Sequence, residues 1–306
     1  MTRACAGIVL ALAAAGCARP AEYQAPVQTF RDASAVVIRS TQTFLGAMNK
    51  TERDHYISDQ VASQAPIQLN RIQEVQVFSQ DAIAARMTAL DNLAAYTDLL
   101  YRLATSDSPE AVKTQAKDLG TALTDLSTQV GALSNTDNEG FKRSVTAVTP
   151  VLSDVLKAIV EQKTEDALRK AVTTGAAPVN NLIEAIRVDA EVAYQRKRSA
   201  LSKQRVDAVQ AYNAAVQKGA SGSLNRLGDT IISTEDQFDA FRAARPDGGL
   251  LAMQQANLAL EKFARTPHPR ATDVSAFVDA MEVFAAAAAR LGQNVQQLKE
   301  LERGAR

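Results

Sequence analysis

The stretch VKTQAKDLGTALTDLSTQVGAL, Val112 to Leu133, decides the fold. Its apolar residues fall at Val112, Ala116, Leu119, Leu123, Leu126, Val130 and Leu133, alternating between steps of three and four. That spacing places every one of them on a single stripe of an α-helix, with Lys, Asp, Thr and Gln on the remaining arc. A half-buried strand would alternate with period two, and no part of the chain does so. The same rhythm recurs on both sides. Phe30, Val37, Phe44 and Met48 share a seam with Val27, Ser34 and Thr41. Val145, Val148, Leu152, Val155 and Ile159 form another, and Leu224, Leu227, Ile231, Thr234, Phe238 and Phe241 a fourth. Val274, Phe277, Met281, Phe284, Ala288, Leu291, Val295 and Leu298 complete a fifth.

Composition agrees. The 306 residues are 46% hydrophobic, much of it alanine, with only 5% aromatic residues and no Trp. Alanine is the best helix former and a poor strand residue, and its small side chain lets helices approach closely. Helix boundaries are marked by Ser108-Pro109-Glu110, an N-cap followed by a first-turn proline and an acid, and by the turn SNTDNEG (134–140). Further breaks fall at TTGAAPVNN (173–181), KGASGS (218–223), RPDGG (245–249) and TPHPR (266–270). The expectation is an all-α, elongated bundle of about eight helices. Two of them are long, over about 66–105 and 178–218, and Gly175 to Pro178 is the candidate hinge. No repeat period of 20 to 50 residues is evident.

The N-terminus carries a different signal. Arg3 precedes an apolar run, Ala6 to Ala15, which is far shorter than the roughly 20 residues that span a bilayer. The run closes in LALAAAGCARP, Leu10 to Pro20, where Ala14-Ala15-Gly16 stand directly before Cys17. This resembles the lipobox of bacterial lipoproteins, with Ala14 at the position where leucine is usual. The resemblance covers 17 residues. It implies a signal peptide of residues 1–16, a Cys17 that carries fatty-acyl chains, and a tether of residues 17–25 before a helical domain of 26–306. Ala18 in place of aspartate implies sorting to the outer membrane, with the body in the periplasm. The plainer reading is a secretory signal cut after Ala13-Ala14-Ala15, with Cys17 as a spare thiol. Cys5 leaves with either signal, so Cys17 has no partner within the chain for a disulfide.

The chain offers little chemistry. Lys plus Arg equals 34 and Asp plus Glu equals 34, a balance that argues against nucleic acid as a partner. Histidine occurs at His55 and His268 alone. Glu52 and His55 have the i, i+3 spacing of a di-iron ligand pair, but such sites need a second pair and two more glutamates. There is no Gly-rich phosphate loop, no G-x-S-x-G, no H-E-x-x-H and no C-x-x-C. The expectation is therefore a non-enzymatic protein with no cofactor or metal.

One charged segment stands out: YQRKRSALSKQR, Tyr194 to Arg205, holds Arg196, Lys197, Arg198, Lys203 and Arg205 without an acid. At about 100° per residue, Arg196 and Lys203 lie together, Arg198 and Arg205 lie nearly opposite, and Lys197 falls between. Charge surrounding a helix resists burial, so this segment is expected to be exposed. It is either a solvated face or a contact for anionic lipid or an acidic partner. FAAAAAR (284–290) sits inside a regular seam and reads as close helix packing. Together these features suggest a lipid-anchored envelope scaffold or binding protein whose partner is an unknown envelope protein or an anionic surface. A membrane-active, toxin-like helical protein is the alternative.

Overall fold

The computed structural model describes residues 19–105, 108–133, 139–161 and 164–304. Among these residues there are nine α-helices, one short 3-10 turn and no strand. The helices are α1 (Arg19–Ala62), α2 (Leu69–Glu74), α3 (Gln80–Thr105), α4 (Pro109–Gly131), α5 (Glu139–Glu161), α6 (Thr164–Gln217), α7 (Leu224–Ala243), α8 (Asp247–Arg265) and α9 (Ala271–Gly304). The protein is thus the all-α multi-helix bundle that the three-and-four spacing predicts.

The long helices run up and down beside one another. Asn92 donates to the Ala122 carbonyl and Gln115 to Asp98, so α3 and α4 are antiparallel. Arg86 pairs with Asp189 while Tyr96 reaches Ala171, so α3 and α6 are antiparallel too. Helices α3, α4, α5 and α6 close one four-helix ring. Along α6, Arg205 meets Glu235, Arg187 meets Asp247 and Asn257 meets Asn180. Helices α7 and α8 therefore form one antiparallel track down α6, bent at 244–246. Helix α9 returns parallel to α1, with Tyr23 against Phe277 and Phe30 against Phe284. Helices α1, α6, α8 and α9 enclose a second core, and α6 is common to both.

The seams read from the sequence are the buried stripes, with one instructive exception. Val112, Leu119, Leu123, Leu126 and Val130 are at most 3% exposed. In α7, Phe238 and Phe241 are buried, but Leu224, Leu227, Ile231 and Thr234 are only half-buried. That half of α7 runs beside the far end of α6, beyond the reach of the four-helix ring.

Three boundaries differ from expectation. The first expected long helix, 66–105, is interrupted and α3 starts only at Gln80. The cause is Asn49. Its side-chain amide donates to the Phe78 carbonyl at 2.6 Å, and its oxygen accepts from the Phe78 N–H at 3.3 Å. This pairing holds 75–79 in a non-helical crossing with Val77 and Phe78 buried, and Ser79 Oγ then caps α3 by accepting from the Ala82 N–H. Residues 19–25, expected as tether, are helical. Pro20 occupies the first turn, where its missing N–H has no partner to lose. Tyr23 packs edge-on to Phe263 at 5.0 Å and fixes this turn to α8.

The third difference is the largest. Helix α6 runs 54 residues without interruption through Gly175 and Pro178, the stretch read as a candidate hinge, about 80 Å at 1.5 Å per residue. A proline inside a helix removes a backbone donor and crowds the preceding turn. The carbonyl that loses its donor to Pro178 is that of Thr174, and neighbouring side chains clamp the carbonyls before and after it. Tyr96 Oη bonds the Ala171 carbonyl, Arg265 the Thr173 carbonyl, Asn257 the Ala176 carbonyl and Gln254 the Asn180 carbonyl. Tyr96 and Asn257 are buried, so their two bonds are shielded from water, while the Arg265 bond lies at the surface. Gly175 is what admits Tyr96: a Cβ there would stand 2.8 Å from its hydroxyl oxygen. Burial also holds the Tyr96 hydroxyl well above the usual tyrosine range, so it stays a donor.

A second buried polar link ties α3 to α6 near the upper end of the ring. Arg86 is fully buried, stacked between Phe78 at 4.1 Å and Phe141 at 4.7 Å. Its Nε donates to Asp189 at 2.8 Å and its Nη1 to the Ala82 carbonyl. Burial raises the Asp189 carboxyl above its ordinary value, and Arg86 pulls it back.

Two predictions follow from these links. Gly175→Ala should lower stability by about 1–2 kcal/mol in urea titration despite alanine's better helix propensity. In a Tyr96→Phe background the same change should be neutral or stabilising, because the obstructing oxygen is gone. Arg86→Met should cost about 3 kcal/mol, and adding Asp189→Leu should recover most of it. Without Arg86 the Asp189 carboxyl rises further. A folded-state value above the unfolded one penalises the charged form, and the penalty declines once pH falls below the raised folded value and is gone near the ordinary aspartate value of about 4. The Arg86→Met deficit should therefore be largest at neutral pH and shrink as pH is lowered toward about 4.

Candidate functional site

Cys17 lies outside the described residues. The basic segment can be followed side chain by side chain, and it divides into three groups. Lys197 is the correction. It is 3% exposed, not solvated, and its ammonium lies 5.2 Å from the Phe241 ring centre. The reason is rotational: Ala193, Lys197, Ala200 and Ala208 form the inward stripe of upper α6, and Lys197 sits at its centre. The long alkyl stem fills a gap that the flanking alanines leave, beside the stacked rings of Phe44, Phe241 and Tyr194.

Lys203 and Arg205 are committed to neighbouring helices. Lys203 bridges Asp207 at 2.9 Å and Asp59 of α1 at 3.3 Å. Asp207 and Asp59 hold its ammonium above the usual lysine range. Arg205 pairs with Glu235 of α7 at 2.6 Å and covers the Phe238 ring at 4.2 Å. Glu235 raises the guanidinium above its ordinary value. Arg196 and Arg198 form the third group. Both are exposed, and neither has a carboxylate partner among the described residues.

The structure thus brings Arg198, Lys203 and Arg205 to one open groove of about 760 Å³ between α6 and α7, while Arg196 flanks the opposite side of α6. Ser199, Ser202 and Val206 form its floor on α6, and Phe238 and Arg242 its far wall on α7. Arg242 was not singled out in the sequence. It lies outside the basic run and enters only because α7 doubles back on α6. The groove holds donors and cations but no histidine or thiol, which suits it to binding an extended acidic surface.

His55 lies on α1, and His268 in the turn between α8 and α9. Among the described residues, no group of three or more His, Cys, Asp or Glu side chains is arranged to hold a metal ion. No described helix is long and apolar enough to cross a membrane. Comparison with known protein families, curated proteins and solved structures found no match to this chain.

Because Arg196 and Arg198 support no contact inside the bundle, their charge is dispensable for folding. The Arg196→Gln/Arg198→Gln double variant should melt within about 1 °C of the wild type by circular dichroism.

Proposed function

We propose that this protein is a lipid-anchored scaffold of the bacterial cell envelope, held at its N-terminal end and binding a partner along the upper part of α6. The observation that carries the reading is the apolar run ending in Gly16-Cys17, immediately ahead of the helical body. An exported protein with no second cysteine after that point has a use for this one as an acyl acceptor. More than one acyl chain gives stable attachment, where a single chain is marginal.

The bundle gives the anchor a mechanical meaning. Helix α1 starts at Arg19, two residues after Cys17, and α6 runs in the same direction as α1. The end of α3 at Thr105, the start of α6 at Thr164 and the turn 266–270 belong to the same end as the start of α1. The basic groove lies about 50 Å along α6 from its first residue. A rigid rod of this length carries its binding face clear of lipid headgroups and toward the periplasm. Sorting to the outer membrane follows from Ala18, by the habit of the lipoproteins that the signal resembles.

Replacing Cys17 with Ser tests the anchor. The variant should move from the membrane pellet to the soluble fraction of native cells, with an unchanged helical spectrum and melting temperature. Persistence in the pellet after a carbonate wash would refute lipid attachment at this residue.

A further inference from the structure

The outward face of upper α6 repeats with the rhythm of a helix-packing seam, yet no helix covers it. Val188, Val192, Val206, Val209 and Val216 lie along it, each between 40% and 52% exposed. Gln195, Ser199, Ser202 and Asn213 fill the positions between, and all are exposed. From Val188 to Val216 the steps alternate four and three without a break, and no position carries a charge. This is the pattern of a and d sites in a coiled coil, continued over four turns of the heptad. On the helical wheel it points directly away from the inward stripe of Ala193, Lys197, Ala200 and Ala208.

The structure explains why the face is bare. Helix α5 begins at Glu139, and its Phe141 stacks on Arg86, which pairs with Asp189. Helix α5 therefore starts level with Asp189, and beyond that point α6 has α7 on one side and the end of α1 on the other. Among the described residues nothing lies over the seam between them.

The flanks identify the occupant. In heptad terms Arg196 and Lys203 take the e positions, and Arg198 and Arg205 the g positions. All four are basic; Lys203 and Arg205 already pair within the bundle, and Arg242 on the α7 wall lies 3.8 Å from Asp239, which leaves Arg196 and Arg198 to receive an acidic shoulder. Two acids also flank the seam, Asp189 at e and Glu191 at g, but Arg86 and Arg245 already hold them; in a parallel second copy Arg198 would face Lys203. An acidic flank would find Arg196 and Arg198 free of carboxylate partners. The geometry points to an amphipathic α-helix of another protein as the ligand, lying along Val188–Val216 with small apolar residues on its contact face and Glu or Asp on both shoulders. The valines and serines give it a shallow seat and the arginines set its choice of partner. This deepens the scaffold reading by naming the partner class, but it does not depend on the lipid.

The test uses the full chain purified in mild detergent and two synthetic 28-residue helical peptides. Both carry the same Ala/Leu seam; one has Glu and the other Lys at its e and g positions. Fluorescence anisotropy should show the Glu peptide binding at least about tenfold more tightly than the Lys peptide. Arg196→Glu/Arg198→Glu should invert that preference. Val206→Asp should abolish binding of the Glu peptide without moving the melting temperature, since the side chain is exposed. The Cys17→Ser protein should bind as the wild type does, so failure of the anchor and failure of this face are read separately. Equal affinity for the two peptides, or binding indifferent to Val206→Asp, would overturn the proposal. So would a mass doubling of the chain that Val206→Asp prevents, which would make a second copy the occupant. Binding to phosphatidylglycerol vesicles lost with Arg196→Glu/Arg198→Glu, with no peptide preference, would assign the face to lipid instead.

Discussion

Everything in this architecture depends on α6 staying continuous where its own sequence invites it to break. Gly175 and Pro178 lie within one turn of each other in a helix of 54 residues. Isolated, that pair would loosen or bend the helix. In the folded chain, side chains of α3 and α8 donate to the carbonyls of Ala171, Thr173, Ala176 and Asn180. The two buried ones, from Tyr96 and Asn257, are worth roughly 1–3 kcal/mol each to keep, because losing the carbonyl strands the donor away from water. The stretch that resembles a hinge is therefore among the most heavily braced in the molecule. Bracing also gives the glycine a purpose, since its missing Cβ is the space that Tyr96 occupies.

A continuous α6 lets one helix serve two cores. Its lower half is a wall of the α3–α6 ring and, on the opposite side, a wall of the α1, α8, α9 group. Small residues make the sharing possible. Gly249 is a second case of close approach: a Cβ there would stand 2.6 Å from Leu291 and 3.4 Å from Val37, where α8, α9 and α1 converge. Large side chains are then spent at a few stacked clusters, such as Phe44, Phe241 and Tyr194. The upper half of α6 outruns the ring and keeps partners on two sides only. The exposure of its outer valines follows from that mismatch in length, and the mismatch supplies a surface without weakening the core.

Much of the fold is written in local pattern. The stripe from Val112 to Leu133 reads correctly because α4 is amphipathic over its whole length and buries one face. KGASGS and RPDGG read correctly because Gly219 adopts positive φ and Asp247 starts α8 with an acid in its first turn. The misreadings share a cause, which is that the deciding partner is distant in sequence. Pro178 looks like a stop until Asn257 and Tyr96 are placed beside it. The break at 75–79 has no glycine or proline and is imposed by Asn49 of another helix. Lys197 looks solvated because charge alone was weighed, whereas its place on the alanine stripe settles its burial. Of the groove, Arg198, Lys203 and Arg205 were visible in the sequence; Arg242 and Phe238 were not, since the return path of α7 had to be known first.

On the proposed reading, an acylated Cys17 and a continuous α6 together hold a partner at a fixed height above a membrane. That height exists only if α6 does not flex at its centre. Spin labels on the exposed positions Arg169 and Gln210 span the glycine and proline and are 41 residues apart. Pulsed dipolar spectroscopy between them tests the rod directly. A continuous helix predicts one narrow distance distribution centred at about 62 Å. A broad distribution, or a second population at markedly shorter distance, would mean that α6 hinges at Gly175 to Pro178 and would contradict the account.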